Sequence, residues 1–517
     1  MSLRRRLSVT SLAAGLLVLS GCATVNFDTP KDITYAVWPA ESTYLGKRTA
    51  GLADQYQGRT GFYELGDGVD APAARYVLAR RVERSIDTMY FVIKKDPAGS
   101  FFLLSLLQAA DRGVRVRVLV DDVEINRRKD PLIAAINAHP QIEVRIWNPF
   151  SRSVPKWWNA MTDFRRINRR MHNKAFVADN EIAIVGGRNI AGEYFGANAD
   201  VIFRDADVGC VGPLVGQVSD MFDDYWNHPL AVPVEDLLPV PDDPEAALAQ
   251  ARAELSNERA KLADGPFRRA LTRAVSDTVA VTADQVRWQP YEFVYDDPDK
   301  SLKRRPDELY PLLTPRLLEF ARAVEDELII LSPYFVPRKE GMALFRELRD
   351  RDVTVRVITN SLASTNQPLV HTGYAAVRKR LLGMGVLLYE INPTAKELQE
   401  ARDDVRAGAG TLHGKLFIAD RQRVFIGTFN FDPRSAYINT EMGVIIEDEK
   451  NASAWAEGVI EKLPTATYEV SMNDKAALRW TGEVDGERKT LKREPETGFW
   501  QRVKANLLRL LPIDDQL

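Results

Sequence analysis

Two short segments of this chain carry the same reactive side chains at the same spacing: His172-Asn173-Lys174 and His413-Gly414-Lys415. In each, four residues separate the lysine from an aspartate (Asp179, Asp420). Six more lead to a glycine (Gly186, Gly427) and two more to an asparagine (Asn189, Asn430). Lysine supplies positive charge, asparagine a neutral donor, and histidine a group that titrates near neutrality; no carboxylate stands among those three. That set suits a phosphate. A metal site is disfavoured, because lysine is no usual ligand and neither cysteines nor carboxylate clusters accompany the histidines. A single His-x-Lys is ordinarily a surface strand, but two copies with identical spacing in a chain of only five histidines are hard to explain that way.

The elements that must hold these residues follow from the local pattern. Apolar runs flank Asp179-Asn180 and Asp420-Arg421, so each segment reads as a hairpin, and Asp179 and Asp420 are expected to be structural turn residues. Side chains at i and i+2 share a sheet face, which pairs His172 with Lys174 and His413 with Lys415. Upstream of each hairpin the chain repeats one series of patterns, with corresponding points about 240 residues apart. The strand at 89–92, the helix from Phe101 to Ala110 and the alternating strand at 113–120 match 328–331, Leu344 to Asp350 and 353–358. Strands alternating with helices imply two tandem α/β domains. The expected organisation is a signal peptide over 1–21, an N-terminal segment over 22–74 and a first domain over 75–240. A charged helical linker over 241–310, read as solvated, leads to a second domain over 311–470 and a C-terminal segment over 471–517. That segment ends in an amphipathic helix around Phe499 to Leu511, expected to dock on the protein itself.

The doubled His-x-Lys pattern resembles the signature of the phospholipase D superfamily, and the resemblance covers most of the chain beyond about Arg75. It implies two homologous α/β/α domains with pseudo-twofold symmetry, whose motifs meet to form one site. It also implies a covalent phosphohistidine intermediate and no cofactor or metal. One histidine attacks phosphorus, and the other protonates the leaving alcohol and then activates the acceptor. Lys174, Lys415, Asn189 and Asn430 would stabilise the five-coordinate transition state. Relatives more often place the nucleophile in the first half, which points to His172. An acidic residue on a later strand orients each imidazole in this superfamily. Asp207-Val208-Gly209 and Glu441-Met442-Gly443 occupy parallel places, which assigns the role to Asp207 and Glu441, with Asp205 as competitor for the partner of the first histidine.

Composition bounds the substrate. The 517 residues carry a formal charge of −3, so the chain as a whole is no basic nucleic-acid binder. Arg4 to Arg6, the apolar run from Leu7 to Leu19 and Leu19-Ser20-Gly21-Cys22 resemble a bacterial lipoprotein signal, with Cys22 acylated as the new N-terminus. Cleavage there removes three arginines and no acids, moving the charge to −6. An anchor of this kind places the chain in the bacterial envelope, and Ala23 after the cysteine favours the outer membrane. Residues 151–174 hold seven Lys/Arg against Asp163 alone, interleaved with Trp157, Trp158 and Phe164. That mixture suits a headgroup interface, single-stranded nucleic acid or a solvated loop. The run from Pro368 to Tyr374 resembles bacterial cardiolipin synthases of the superfamily, as does Leu510 to Ile513; His371 within it either lines the site or starts a helix. The expected partners are a phospholipid membrane and anionic lipids such as phosphatidylglycerol, with no nucleic acid. The expected reaction is phosphatidyl transfer that makes cardiolipin. The alternatives are a hydrolase releasing phosphatidic acid, a phospholipase D-type endonuclease and a silent envelope scaffold.

Overall fold

The computed structural model describes residues 25–508 apart from 39, 57, 67, 126–127, 196–200, 263–265, 280–284, 303–311, 396–408 and 485. Cys22 and the Leu510 to Ile513 stretch lie outside the described residues. Among the described residues, no helix is long and apolar enough to cross a membrane.

Each half is built on one mixed sheet whose central strands are largely buried on both faces, as strands covered by helices must be. The first sheet runs, edge to edge, Arg287–Gln289, Thr60–Leu65, Asp207–Val211, Ile182–Gly186, Ala175–Ala178, Ser85–Tyr90, Arg115–Asp121, Ile142–Trp147 and Ala231–Pro233. The second runs Tyr291–Tyr295, Met442–Glu447, Arg423–Gly427, Leu416–Ala419, Glu327–Leu331, Thr354–Asn360, Leu387–Ile391, Thr467–Met472, Leu478–Val484 and Glu487–Leu491. The order repeats strand for strand through the centre of both sheets, which makes the duplication a fact of topology. Parallel strands end at Tyr90, Asp121 and Trp147 in one half and at Leu331, Asn360 and Ile391 in the other. Both hairpins enter antiparallel at those ends, with Ala175 opposite Met89 and Leu416 opposite Leu331.

Three apolar clusters explain the layers. Ile86, Val116, Val118 and Ile184 face helices Asp70–Arg81, Pro97–Ala110 and Asp130–Asn137. Leu328, Ile330, Val355 and Val357 face Leu313–Arg322, Lys339–Asp350 and Pro368–Gly383. The third cluster is shared: Val185 and Val208 of the first sheet join Ile426, Val444 and Ile446 of the second, with Phe222 and Trp226 of helix Pro213–Asn227 and Ala452 and Ala456 of helix Glu449–Ala466. One core therefore fixes the two halves against each other.

The borders differ from those expected. Thr60–Leu65, ahead of residue 75, pairs with Asp207–Val211, and its counterpart Tyr291–Tyr295, inside the expected linker, pairs with Met442–Glu447. A single residue, Pro290, separates the last strand joined to the first sheet from the first strand joined to the second. The charged segment is not a solvated connector either. Helix Pro244–Ala260 buries Ala251 and Leu255 in the first core, and Pro266–Val279 buries Leu271 and Ala274 there. Its few apolar positions fall on one helical face, so charge count alone understated its packing. The final helix, Phe499–Leu508, lies against Pro368–Gly383, with Ala505 buried and Gln501 donating to the carbonyl of Leu362.

Candidate active site

The two hairpins turn as the sequence requires. Asp179, Asn180, Asp420 and Arg421 all have φ between 50° and 54°, the paired left-handed conformation of a two-residue hairpin turn. Asp179 accepts from the backbone N–H groups of Glu83, Arg84 and Ser85, and Asp420 from those of Glu325, Asp326 and Glu327. Both carboxylates thus tie a hairpin to the start of the neighbouring strand, at the sheet end away from the histidines.

At the other end the halves cross. Ala409–Leu412 pairs in parallel with Val201–Arg204 of the first half, placing Leu412 beside Arg204. Met171 bridges Thr440 in the same parallel sense, and the N–H of His172 donates to the carbonyl of Thr440 at 2.9 Å. One residue further along each strand stand a histidine and an acid. His172 Nδ1 therefore meets Glu441 Oε2 at 2.8 Å, and His413 Nδ1 meets Asp205 Oδ2 at 2.6 Å. Each imidazole is held by a carboxylate from the opposite half. Asp121, which ends its strand, accepts from the N–H of Met171 at 2.9 Å. Asn360, which ends the equivalent strand, exchanges two hydrogen bonds with Leu412, at 2.9 and 3.0 Å.

This geometry corrects the assignment of Asp207. Gly186 pairs with Asp207 and Gly427 with Gly443. Counting back two residues from each strand position gives Asp205 and Glu441 as the equivalent acids. Matching Gly209 to Gly443 slipped the register by two, a shift that keeps every side chain on its face and so leaves no trace in the alternation. Asp207 instead binds the buried Arg75 guanidinium at 2.8 Å. Nor is Asp205 the partner of the first histidine; it holds the second, and Glu441 holds the first.

Both histidines are almost wholly buried, 6% and 5% exposed, with Lys174 and Lys415 beside them at 2% and 1%. Lys174 Nζ donates to the carbonyl of His172, and Lys415 Nζ to that of His413. Burial, ahead of every other cause, lowers His172 to about 4 and His413 to about 3, and the neighbouring lysines push the same way. Burial likewise lowers Lys174 to about 7 and Lys415 to about 8. Burial by itself would raise the two acids. Lys415 and His413 more than offset it for Asp205, and His172 does so for Glu441, so both carboxyls stay below their ordinary range. In the free protein the imidazoles are therefore neutral and their partners ionised; for His172 that places the proton on Nδ1 and leaves Nε2 as the reactive nitrogen, while Lys415 Nζ stands 2.7 Å from Nδ1 and 3.2 Å from Nε2 of His413.

The asparagines differ. Asn189 accepts from the N–H of Val92 with Oδ1 and donates from Nδ2 to Tyr194 Oη at 2.8 Å. Among the described residues, Asn430 Oδ1 is buried with no partner. Several supporting residues were not singled out from sequence. Thr428 Oγ1 (2.5 Å) and Ser435 Oγ (2.6 Å) donate to Glu441, completing three contacts on that carboxylate with His172. Thr428 stands where the first half has Gly187, and a Cβ at Gly187 would lie 2.2 Å from Asp205 Oδ1. The ring edges of Phe91 and Tyr194 pack on His172 and His413, with centroids 5.0 and 4.8 Å apart. The register between hairpins was the available signal for Thr428 and Ser435; nothing local marked the aromatics.

His371 stands in the first turn of helix Pro368–Gly383. It lies 3.3 Å from Arg378 Nη2, while Arg378 also holds Glu390 at 3.1 Å and Glu494 at 2.9 Å. Among the described residues, His371, Glu390 and Glu494 are the one His/Cys/Asp/Glu group compact enough for a metal. The Arg378 guanidinium contacts all three, so the cluster works as a clamp between helix Pro368–Gly383 and the C-terminal segment.

The relatives agree with this architecture. The family of cardiolipin synthase, PLD-like domains matches residues 80–226 and 317–462, one match per half. Cardiolipin synthase C of Escherichia coli is 36% identical over 90% of this chain and 97% of its own length. Cardiolipin synthase A of Pseudomonas aeruginosa is 26% identical over 75% of this chain and 64% of its own. The crystal structure of phosphatidylserine synthase from Haemophilus influenzae Rd KW20 shares the fold at TM-score 0.55 and 14% identity, covering 91% of this chain and 100% of that one. The chain belongs to the cardiolipin synthase family with phospholipase D-like domains, and is an enzyme of the phospholipase D type, a phosphatidyltransferase.

Proposed function

We propose that this enzyme moves a phosphatidyl group from one phospholipid to a hydroxyl of phosphatidylglycerol, making cardiolipin, at a bacterial envelope membrane. The observation that carries the reading is the crossed pair of His–carboxylate contacts with two lysines beside them. His172 Nε2 attacks phosphorus, forming an N–P bond, while His413 gives a proton to the departing alcohol. His413 then takes the proton of the incoming hydroxyl, the new P–O bond forms, and the N–P bond to His172 breaks. One phosphodiester is exchanged for another, so no external energy source enters. Lys174, Lys415 and the amides of Asn189 and Asn430 take up the charge of the five-coordinate state. His413 begins neutral. A phosphodiester anion set beside the lysines offsets their Coulomb effect on His413 and shifts it toward the protonated form that the first step uses. The 36% identity to a cardiolipin synthase over nearly the whole chain supports this choice of acceptor.

The test is product analysis. Purified enzyme in vesicles of phosphatidylethanolamine and phosphatidylglycerol is expected to make cardiolipin, with its rate unchanged in excess chelator because the site's positive charge comes from lysines. Phosphatidic acid as sole product would mean transfer to water, and activity restored only by a divalent ion would contradict the mechanism.

The same charges set the pH profile. With a nitrophenyl ester substrate, whose leaving group needs no proton from His413, His172 attacks only when neutral, so kcat/KM falls as pH drops through about 4, where burial has placed its titration. The lysines attract the phosphodiester only when protonated, so kcat/KM falls as pH rises through about 7 to 8. Lys174→Arg holds its charge at high pH and should move the alkaline limb upward; an unmoved limb would assign it to another group.

A further inference from the structure

We infer that two outward-facing amphipathic helices beside the catalytic mouth, Lys156–Thr162 with its continuation to Ile167 and Phe499–Leu508, form the surface on which this enzyme sits on an anionic phospholipid bilayer. The inference rests on the proposed lipid chemistry and names the face that meets the lipid.

Both helices carry large apolar side chains on their outward faces. In Lys156–Thr162 the one buried residue is polar: Asn159 binds the N–H and carbonyl of Ser151 and the carbonyl of Pro155. Trp157 (60% exposed) and Met161 (75%), one helical turn apart, face out, as does Phe164 (48%) just beyond, while Trp158 is half-buried and Ile167 buried. In Phe499–Leu508 Ala505 is buried, Val503 and Leu508 are half-buried and the amide of Gln501 bonds inward, while Trp500 is 77% and Leu507 61% exposed. Ordinary amphipathic helices bury their large apolar side chains and leave small or polar ones outside. Two such outward apolar faces in one chain mark surfaces built to meet something apolar.

Their position and charge say what. Lys156 reaches the carbonyls of Asp122 and Val123, immediately beyond the strand whose Asp121 holds Met171. Gln501 reaches Leu362, just beyond the equivalent strand, whose Asn360 holds Leu412. The helices thus occupy matching places on the two sheets, at the ends where the histidines lie. Cations surround them. Among the described residues, Lys156 and Arg169 donate only to backbone carbonyls, and the exposed Arg165 and Lys504 have no carboxylate within ion-pair distance. Apolar side chains flanked by cations lacking anionic partners match the headgroup and upper acyl layer of an acidic membrane. Docked this way, the mouth opens onto the bilayer, and lipid reaches the histidines without leaving it.

The experiment uses the full chain with vesicles of phosphatidylglycerol and phosphatidylethanolamine whose acyl chains carry bromine, a contact quencher of tryptophan. The tryptophans of the two helices should be quenched, so Trp157→Phe/Trp158→Phe/Trp500→Phe should lose most of the quenchable emission. This readout is local, and an anchor elsewhere in the chain does not produce it. Trp157→Ser/Met161→Ser/Phe164→Ser should lower turnover on vesicles at least about tenfold, while turnover of short-chain phosphatidylglycerol in solution is unchanged. Quenching that survives in the Phe variant, or equal losses on vesicles and soluble substrate, overturns the docking surface. So does protection of these residues without lipid, by a second copy of the chain. Failure to make cardiolipin while quenching is intact would instead overturn the proposed reaction and leave the surface standing.

Discussion

His172→Ala and His413→Ala each stop turnover of natural phospholipid, by roughly 10⁴-fold or more, and they fail at different steps. The loss is large because the histidines act as one unit, so removing either removes most of what the pair achieves. The difference appears with a substrate whose leaving group, such as nitrophenolate, departs without a proton. His413→Ala still has the His172 imidazole, oriented by Glu441 at 2.8 Å, and attack proceeds. No base remains to activate the acceptor, so the phosphatidyl group stalls on His172. His172→Ala forms no such adduct. Peptide mapping after mixing reads the outcome directly: a phospho-adduct on His413 in the His172→Ala protein, with none on His172 in the converse variant, reverses the roles.

The sequence carried the repeat and the reactive residues because those properties are local. His-x-Lys spacing, an Asp at each turn and apolar alternation all follow from hairpin geometry within about twenty residues. Asp179 and Asp420 could be placed as structural for that reason, and each does cap the backbone of a neighbouring strand. The acids were different. Asp205 and Asp207 are two residues apart, which alternation reads as one sheet face, and only pairing with Gly186 separates them, a long-range fact no periodicity encodes. The crossing of partners was further out of reach, since it depends on two strands meeting strands of the other half, Leu412 beside Arg204 and Met171 beside Thr440. Outer borders were misjudged from the same cause. Thr60–Leu65 and Tyr291–Tyr295 lie far in sequence from the strands they join, and the charged run after Pro241 hid Ala251 and Leu255, whose burial makes it part of the first core.

The crossed contacts make a sharp prediction: a substitution in one half disables the histidine of the other. Glu441→Gln keeps the size of the side chain but no longer favours the tautomer with a proton on Nδ1 of His172, and it places an amide where Thr428 and Ser435 also donate. It should slow adduct formation on His172 by about 10³- to 10⁴-fold, even with an activated leaving group. Asp205→Asn leaves His172 and Glu441 intact. Adduct formation from the activated substrate should then stay within about tenfold of the parent, while transfer from His172 to the acceptor slows by about 10³-fold, because that step needs His413 as base. Asp207→Asn behaves differently again. It removes the carboxylate from the buried Arg75 guanidinium and should destabilise the fold by about 3–5 kcal/mol, with kcat of the folded fraction little changed. Three measurements, namely burst amplitude, steady-state transfer and melting temperature, therefore sort three acids that alternation along the strands cannot separate. Loss of the burst in Asp205→Asn with its retention in Glu441→Gln would mean that each acid serves the histidine of its own half, and the crossed contacts would not be the working ones.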